Sequence, residues 1–231
     1  MYALHQALFG YYPYVAATVF LLGSLIRFDR EQYSWRSGSS QMLSKEKLAL
    51  GSNLFHIGIL GLFLGHFVGL LTPVWVFDTL GIAHGAKQML AIVAGSIFGL
   101  MCLAGMLILI RRRLSTLRVL KTSTQMDLAI LYLLLAQLLL GLFTIPISLQ
   151  HADGETMVKF MNWAQSIFTF HYGAADLILD VAWPFKLHLV LGMTVFLVFP
   201  FSRLVHIWSA PIWYVGRRYQ LVRTRKAARA D

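Results

Sequence analysis

The sequence predicts an all-α integral membrane protein: one domain over residues 1–231, a bundle of five transmembrane helices with the N-terminus outside and the C-terminus in the cytoplasm. Three observations predict it. Hydrophobic residues make up 58% of the chain and charged residues only 13%, about half the charged share of a soluble domain. The apolar residues gather in five stretches, approximately 3–26, 48–71, 87–110, 125–149 and 185–208, each long enough for a tilted span of about 20 residues or more. The basic residues fall in blocks between alternate stretches.

Each stretch is read as a helix, because an open strand leaves its backbone groups unpaired in lipid. Arg27, Arg30, Arg36, Lys45 and Lys47 follow the first. Arg111, Arg112, Arg113, Arg118 and Lys121 follow the third. Arg203 and the tail basics from Arg217 to Arg229 close the fifth. Together these are 17 of the 20 basic residues, and a basic bias on one face marks the cytoplasm. Lys87, Lys159 and Lys186 lie on the other face, with Asp78, Asp153, Glu155, Asp176 and Asp180. The net charge of +10 is thereby explained by topology rather than by nucleic acid, which is not expected as a partner. The tail 209–231 is read as lying on anionic membrane lipid. Between the fourth and fifth spans, Val158–Phe170 is apolar but too short to cross. It is expected to lie at the interface with Trp163 at headgroup depth. The single cysteine, Cys102, excludes an internal disulfide and any Cys-x-x-Cys motif. The N-terminal residues lack the basic region of a cleavable leader, so none is expected.

Eight histidines are present. His5, His84, His151 and His171 sit at the outer surface or in outer loops. His56 and His66 lie in the second span, His188 and His206 in the fifth, and ionisable residues inside a membrane usually carry function. Span direction sets their depths. His66 can meet His188 near the outer face and His56 can meet His206 near the cytoplasm, while the crossed pairs are too far apart. Ten residues of helix separate His56 from His66, roughly 15 Å, and eighteen separate His188 from His206, roughly 27 Å; irons roughly 20 Å apart would reconcile the two. Eighteen residues is five whole turns, which puts His188 and His206 on one face, while His56 and His66 are offset by roughly 80°, a looser fit still compatible with ligands on one side. Two axial imidazoles fill both open positions of a heme iron and leave electron transfer as its role. The alternatives are a buried histidine bonded to a carbonyl, or a non-heme metal site. The latter wants convergent ligands, often carboxylates, and the second and fifth spans hold no Asp or Glu. Gly61, Gly65 and Gly69, spaced by four, suit close helix packing or clearance for a ring beside His66.

The segments SSQML (39–43), SNLFHIGILG (52–61), GHFVGLLTP (65–73), TIPIS (144–148), DGETM (153–157), WAQSIFTFH (163–171) and KLHLVLGMTVFLVFPFSRLVHIWS (186–209) resemble the gamma subunit of respiratory nitrate reductase, over nearly the whole chain. The resemblance implies a cell inner-membrane cytochrome with two b hemes. His66 and His188 would hold the distal heme and His56 and His206 the proximal one, as axial ligands of the iron. It implies a quinol site (for ubiquinol or menaquinol) at the outer side, with Lys87 at the start of the third span and Gly65 and His66 as its floor. A cation there can hydrogen-bond a quinol oxygen and favour its deprotonated form; otherwise Lys87 is an interfacial lysine snorkelling to water. It further implies electron delivery to an iron–sulfur beta subunit and nitrate reduction in a molybdenum alpha subunit, with the first cytoplasmic loop and the basic tail against the beta subunit. The other readings are a related quinone-linked cytochrome serving a different soluble oxidoreductase, and a transporter or assembly factor using its histidines for a metal ion or proton.

Overall fold

The computed structural model describes residues 1–35, 47–150 and 153–209. The loop segment 36–46, His151 and most of the basic tail lie outside the described residues, and so do the expectations that rest on them. Among the described residues every regular element is helical. In order these are α1 (Tyr2–Gln6), a π-helical turn (Ala7–Tyr11), α2 (Tyr12–Arg30), α3 (Leu48–Leu71), α4 (Val74–Thr79), α5 (His84–Ser115), α6 (Leu117–Lys121), α7 (Gln125–Gln150), α8 (Glu155–Phe168) and α9 (Trp183–Val198), with 3-10 turns at 32–34, 174–178, 199–201 and 203–209. Among the described residues five segments are long and apolar enough to cross a membrane: Tyr2–Arg30, Leu48–Leu71, His84–Ser115, Gln125–Gln150 and Trp183–Phe201.

The spans form an arc. α3 packs along α5, α5 on α7, α7 on α9, and α9 on α2. The α3–α5 contact is the most extensive, and small residues make it possible. A Cβ added to Gly58 would lie 2.5 Å from the backbone nitrogen of Cys102, and one added to Gly105 would run into the backbone of Phe55. Glycines on both helices therefore let the two backbones touch, and Cys102 is fully buried between them. Outside this contact, large apolar side chains such as Leu60, Phe63, Leu90 and Leu100 stand exposed along the spans. That would be costly in water and is what a lipid-facing surface requires.

Prolines shape the first and last spans. Pro13 has no N–H for the carbonyl of Phe9, and the chain widens into the π-helical turn just before α2. The indole N–H of Trp163 donates to that carbonyl at 3.0 Å. Trp163 is only 6% exposed. It is packed into a core with Phe9, Ala16, Ile178 and Met193, and α8 is a helix docked by one face on the bundle.

The fifth span is not one helix to residue 208. α9 ends at Val198 and the chain continues in 3-10 turns through Phe199–Phe201 and Arg203–Ser209, with Ser202 extended (ψ 178°) between them. Pro200 cannot continue the helical hydrogen bonding. The freed carbonyls of Pro200 and Ser202 accept the Arg27 guanidinium at 2.6 and 2.8 Å. Ser202 Oγ accepts the N–H of Leu204 at 3.1 Å, the capping bond that starts the last turn. Five whole turns between His188 and His206, and the shared face that followed, therefore do not hold. α5 in turn is longer than the stretch 87–110, running from His84 through Arg111–Arg113 to Ser115.

Away from the spans, the Lys159 ammonium pairs with Asp180. That hydrogen bond holds the Asp180 carboxyl below its ordinary pKa and raises that of Lys159. The bond is complete between those two values, and is lost in acid as Asp180 protonates.

Candidate functional site

α3 carries His56 and His66 on exposed faces. His66 Nδ1 lies 2.7 Å from the carbonyl of Leu62, and His56 Nδ1 lies 2.7 Å from that of Ser52, one turn earlier in each case. A carbonyl only accepts, so each Nδ1 carries the proton and each Nε2 is left with its lone pair. His206, in the last 3-10 turn, does the same with the carbonyl of Arg203 at 2.6 Å. Such a bond fixes the tautomer and orientation of a metal-binding imidazole.

His188, in the second turn of α9, faces His66 across the bundle. Their ring centres are 6.0 Å apart, at 41° to each other. A metal–imidazole nitrogen distance of roughly 2.0–2.1 Å on each side would put two ring centres about 6 Å apart. His188 Nδ1 is buried without a hydrogen-bond partner among the described residues, a condition that native interiors rarely leave unanswered. The residues present thus fit a heme iron between His66 and His188. His56 and His206 supply a second pair of lone pairs at the far ends of α3 and of the fifth span. Among the described residues no three His, Cys, Asp or Glu side chains converge as a metal cluster would require.

Lys87, in the first turn of α5, is 7% exposed. Its ammonium donates to Met161 Sδ at 2.7 Å and to the carbonyl of Gly69 at 3.4 Å, and stands 3.6 Å above the centre of the Phe77 ring. No carboxylate pairs with it among the described residues. Val74, His84, Met157 and Val158 close around it. This lysine does not snorkel to water. It is a buried cation held by a carbonyl, a sulfur and an aromatic face, with α3, α4, α5 and α8 each contributing one wall.

The three glycines of α3 divide. A Cβ on Gly61 would strike the Phe98 ring of α5, so Gly61 serves helix packing. At Gly65 nothing lies within 4 Å, so close packing does not account for it, and Gly69 lends its carbonyl to Lys87. Gly154, with φ +87°, seats its loop on the backbone of His84, while His84 itself pairs with Asp78 at 3.0 Å. His5 bonds the carbonyl of Ala175 at 2.8 Å.

Phe77 and Met161 were not legible as site residues, being ordinary apolar positions. Gln137 left a signal, as the lone amide in the apolar run 128–143. It stands on α7 within 3.4 Å of His188.

Comparison with known proteins agrees over nearly the whole chain. Residues 5–225 match the family described as nitrate reductase gamma subunit. The chain is 53% identical to the respiratory nitrate reductase 1 gamma chain of Escherichia coli strain K12, over 97% of this chain and 100% of that one. It is 53% identical to the respiratory nitrate reductase 2 gamma chain of the same organism, over 96% and 98%. It is 37% identical to the nitrate reductase gamma chain of Bacillus subtilis strain 168, over 95% and 98%.

Proposed function

Because this chain belongs to the nitrate reductase gamma subunit family, we propose that it is the quinol-oxidising diheme cytochrome b of that oxidoreductase complex. It takes two electrons from each quinol at the Lys87 end of the bundle and delivers them at the His56/His206 end to an iron–sulfur beta subunit, for nitrate reduction in a molybdenum alpha subunit. The observation that carries this reading is the pair of imidazoles on α3 and α9, their ring centres 6.0 Å apart.

Bound by the pair His66 and His188 and by the pair His56 and His206, heme b supplies reversible one-electron chemistry at two depths in the membrane. The chain's own residues do the rest. Each pair would hold its heme iron between two imidazoles and so keep oxygen and substrate off it. The Nδ1–H bonds of His56, His66 and His206 hold the rings against rotation. Lys87 can exchange its sulfur contact for a quinol oxygen, donate to it and lower the cost of releasing the first proton. Gly65, beside His66, leaves room for the quinol ring to approach. The two protons of each quinol leave on the face where it is oxidised. With the basic blocks in the cytoplasm, that face is the outer face of the inner membrane, so electron movement inward separates charge without a proton channel.

Membranes holding the whole complex test this. Added quinol should raise the α band of a reduced b heme, and nitrate should bleach it. No α band with dithionite would overturn the cytochrome reading. A band raised by dithionite but not by quinol would overturn the quinol site.

A further inference from the structure

We propose that Gln137 is a positioning residue for His188. Its amide oxygen accepts the imidazole N–H that remains when the other ring nitrogen is a metal ligand, and it thereby sets the orientation of the ring and the potential of the iron held there. The inference rests on the heme reading above and extends it to a residue outside the ligand set.

His56, His66 and His206 each give a ring N–H to a backbone carbonyl. His188 does not: the Gln137 amide is the one side chain hydrogen-bonded to its ring among the described residues, at 3.4 Å. Both partners carry an unanswered atom. His188 Nδ1 and Gln137 Oε1 are each buried without a partner among the described residues. A half-turn of the amide exchanges its nitrogen and oxygen. The oxygen can then accept an N–H from Nε2, the ring nitrogen that the amide already faces, which gives Gln137 Oε1 a partner and leaves His188 Nδ1 as the ring's lone pair for the metal.

The interface is cut to hold this pair. On α7, Gly141 is one turn from Gln137, and a Cβ there would come within 2.9 Å of His188 Cε1. On α9, Gly192 is one turn from His188, and a Cβ there would come within 3.1 Å of Gln137 Nε2. Each helix thus offers a glycine to the polar side chain of the other. An acceptor on the second nitrogen makes the imidazole a stronger donor to the metal and favours the oxidised iron. A carboxylate in the same place acts more strongly.

The test is a potentiometric titration of the two b hemes in the intact complex, with electron paramagnetic resonance of the low-spin ferric signals, on wild type, Gln137→Leu and Gln137→Glu. Gln137→Leu should raise the midpoint potential of one heme and shift its ferric signal. Gln137→Glu should lower the potential of that same heme, and the other heme should not move in either variant. If Gln137→Leu loses the heme outright, the direction of the Gln137→Glu shift decides. Unchanged potentials in both variants, or equal shifts of both hemes, would overturn the role of Gln137 alone. A wild type without heme would instead overturn the function proposed above.

Discussion

A neutral histidine that donates its Nδ1 proton to a carbonyl one turn back presents a lone pair at Nε2. Three of the four histidines proposed as ligands are held this way. The two rings that face each other have centres 6.0 Å apart, about the sum of two metal–nitrogen bonds and the distance from nitrogen to centre in each ring. The same scale governs Lys87. A primary ammonium buried with a carbonyl, a thioether and an aromatic face has weak partners that a substrate oxygen can displace. Hydrogen bonds from charged groups contribute roughly 1.5–3 kcal/mol, or about ten- to a hundred-fold in rate. Lys87→Ala is therefore expected to slow quinol-driven heme reduction by about that factor while dithionite still reduces two hemes per chain. An unchanged quinol rate in stopped-flow absorbance would remove Lys87 from the site.

At the scale of elements, the sequence identified five spans, and among the described residues five helices are long and apolar enough to cross a membrane. Their lengths were less legible, for reasons that can be named. α5 runs on past residue 110 because Arg111–Arg113 continue the helix beyond its apolar stretch, whereas hydropathy alone stops at the first charge. The fifth span reads as unbroken because Phe199, Pro200 and Phe201 are all apolar. The break depends on Pro200 and on the Arg27 guanidinium of another span to satisfy the freed carbonyls, a contact no local pattern encodes. Because that break carries His206, Arg27→Met should loosen it. Losing two bonds from a charged donor should cost about 3 kcal/mol or more, seen as a lower temperature of heme loss in the heme assigned to His206. Equal thermal retention of both hemes in wild type and variant would contradict this.

At the scale of the molecule, the site was partly legible. Span direction alone pairs His66 with His188, and the structure brings those two together. The wall around Lys87 was not legible, since Phe77 and Met161 come from α4 and α8 and meet only once the helices are packed. Nor was the burial of Trp163, which follows from a carbonyl freed by Pro13 far along the chain. Orientation follows from the basic blocks and can be measured directly. Native Cys102 is buried, while Tyr172 and Tyr33 are 99% and 96% exposed. In intact spheroplasts an impermeant maleimide should label Tyr172→Cys, and it should label Tyr33→Cys only after permeabilisation. The reverse pattern would invert the bundle.

A diheme cytochrome of this design requires its four histidines to act as two pairs. Pyridine hemochrome quantitation of single and double His→Ala variants in the assembled complex tests it most directly. His66→Ala, His188→Ala and their double variant should each retain one heme b, and His66→Ala combined with His206→Ala should retain none. A His66/His188 double variant that loses both hemes, or single variants that keep two, would contradict it.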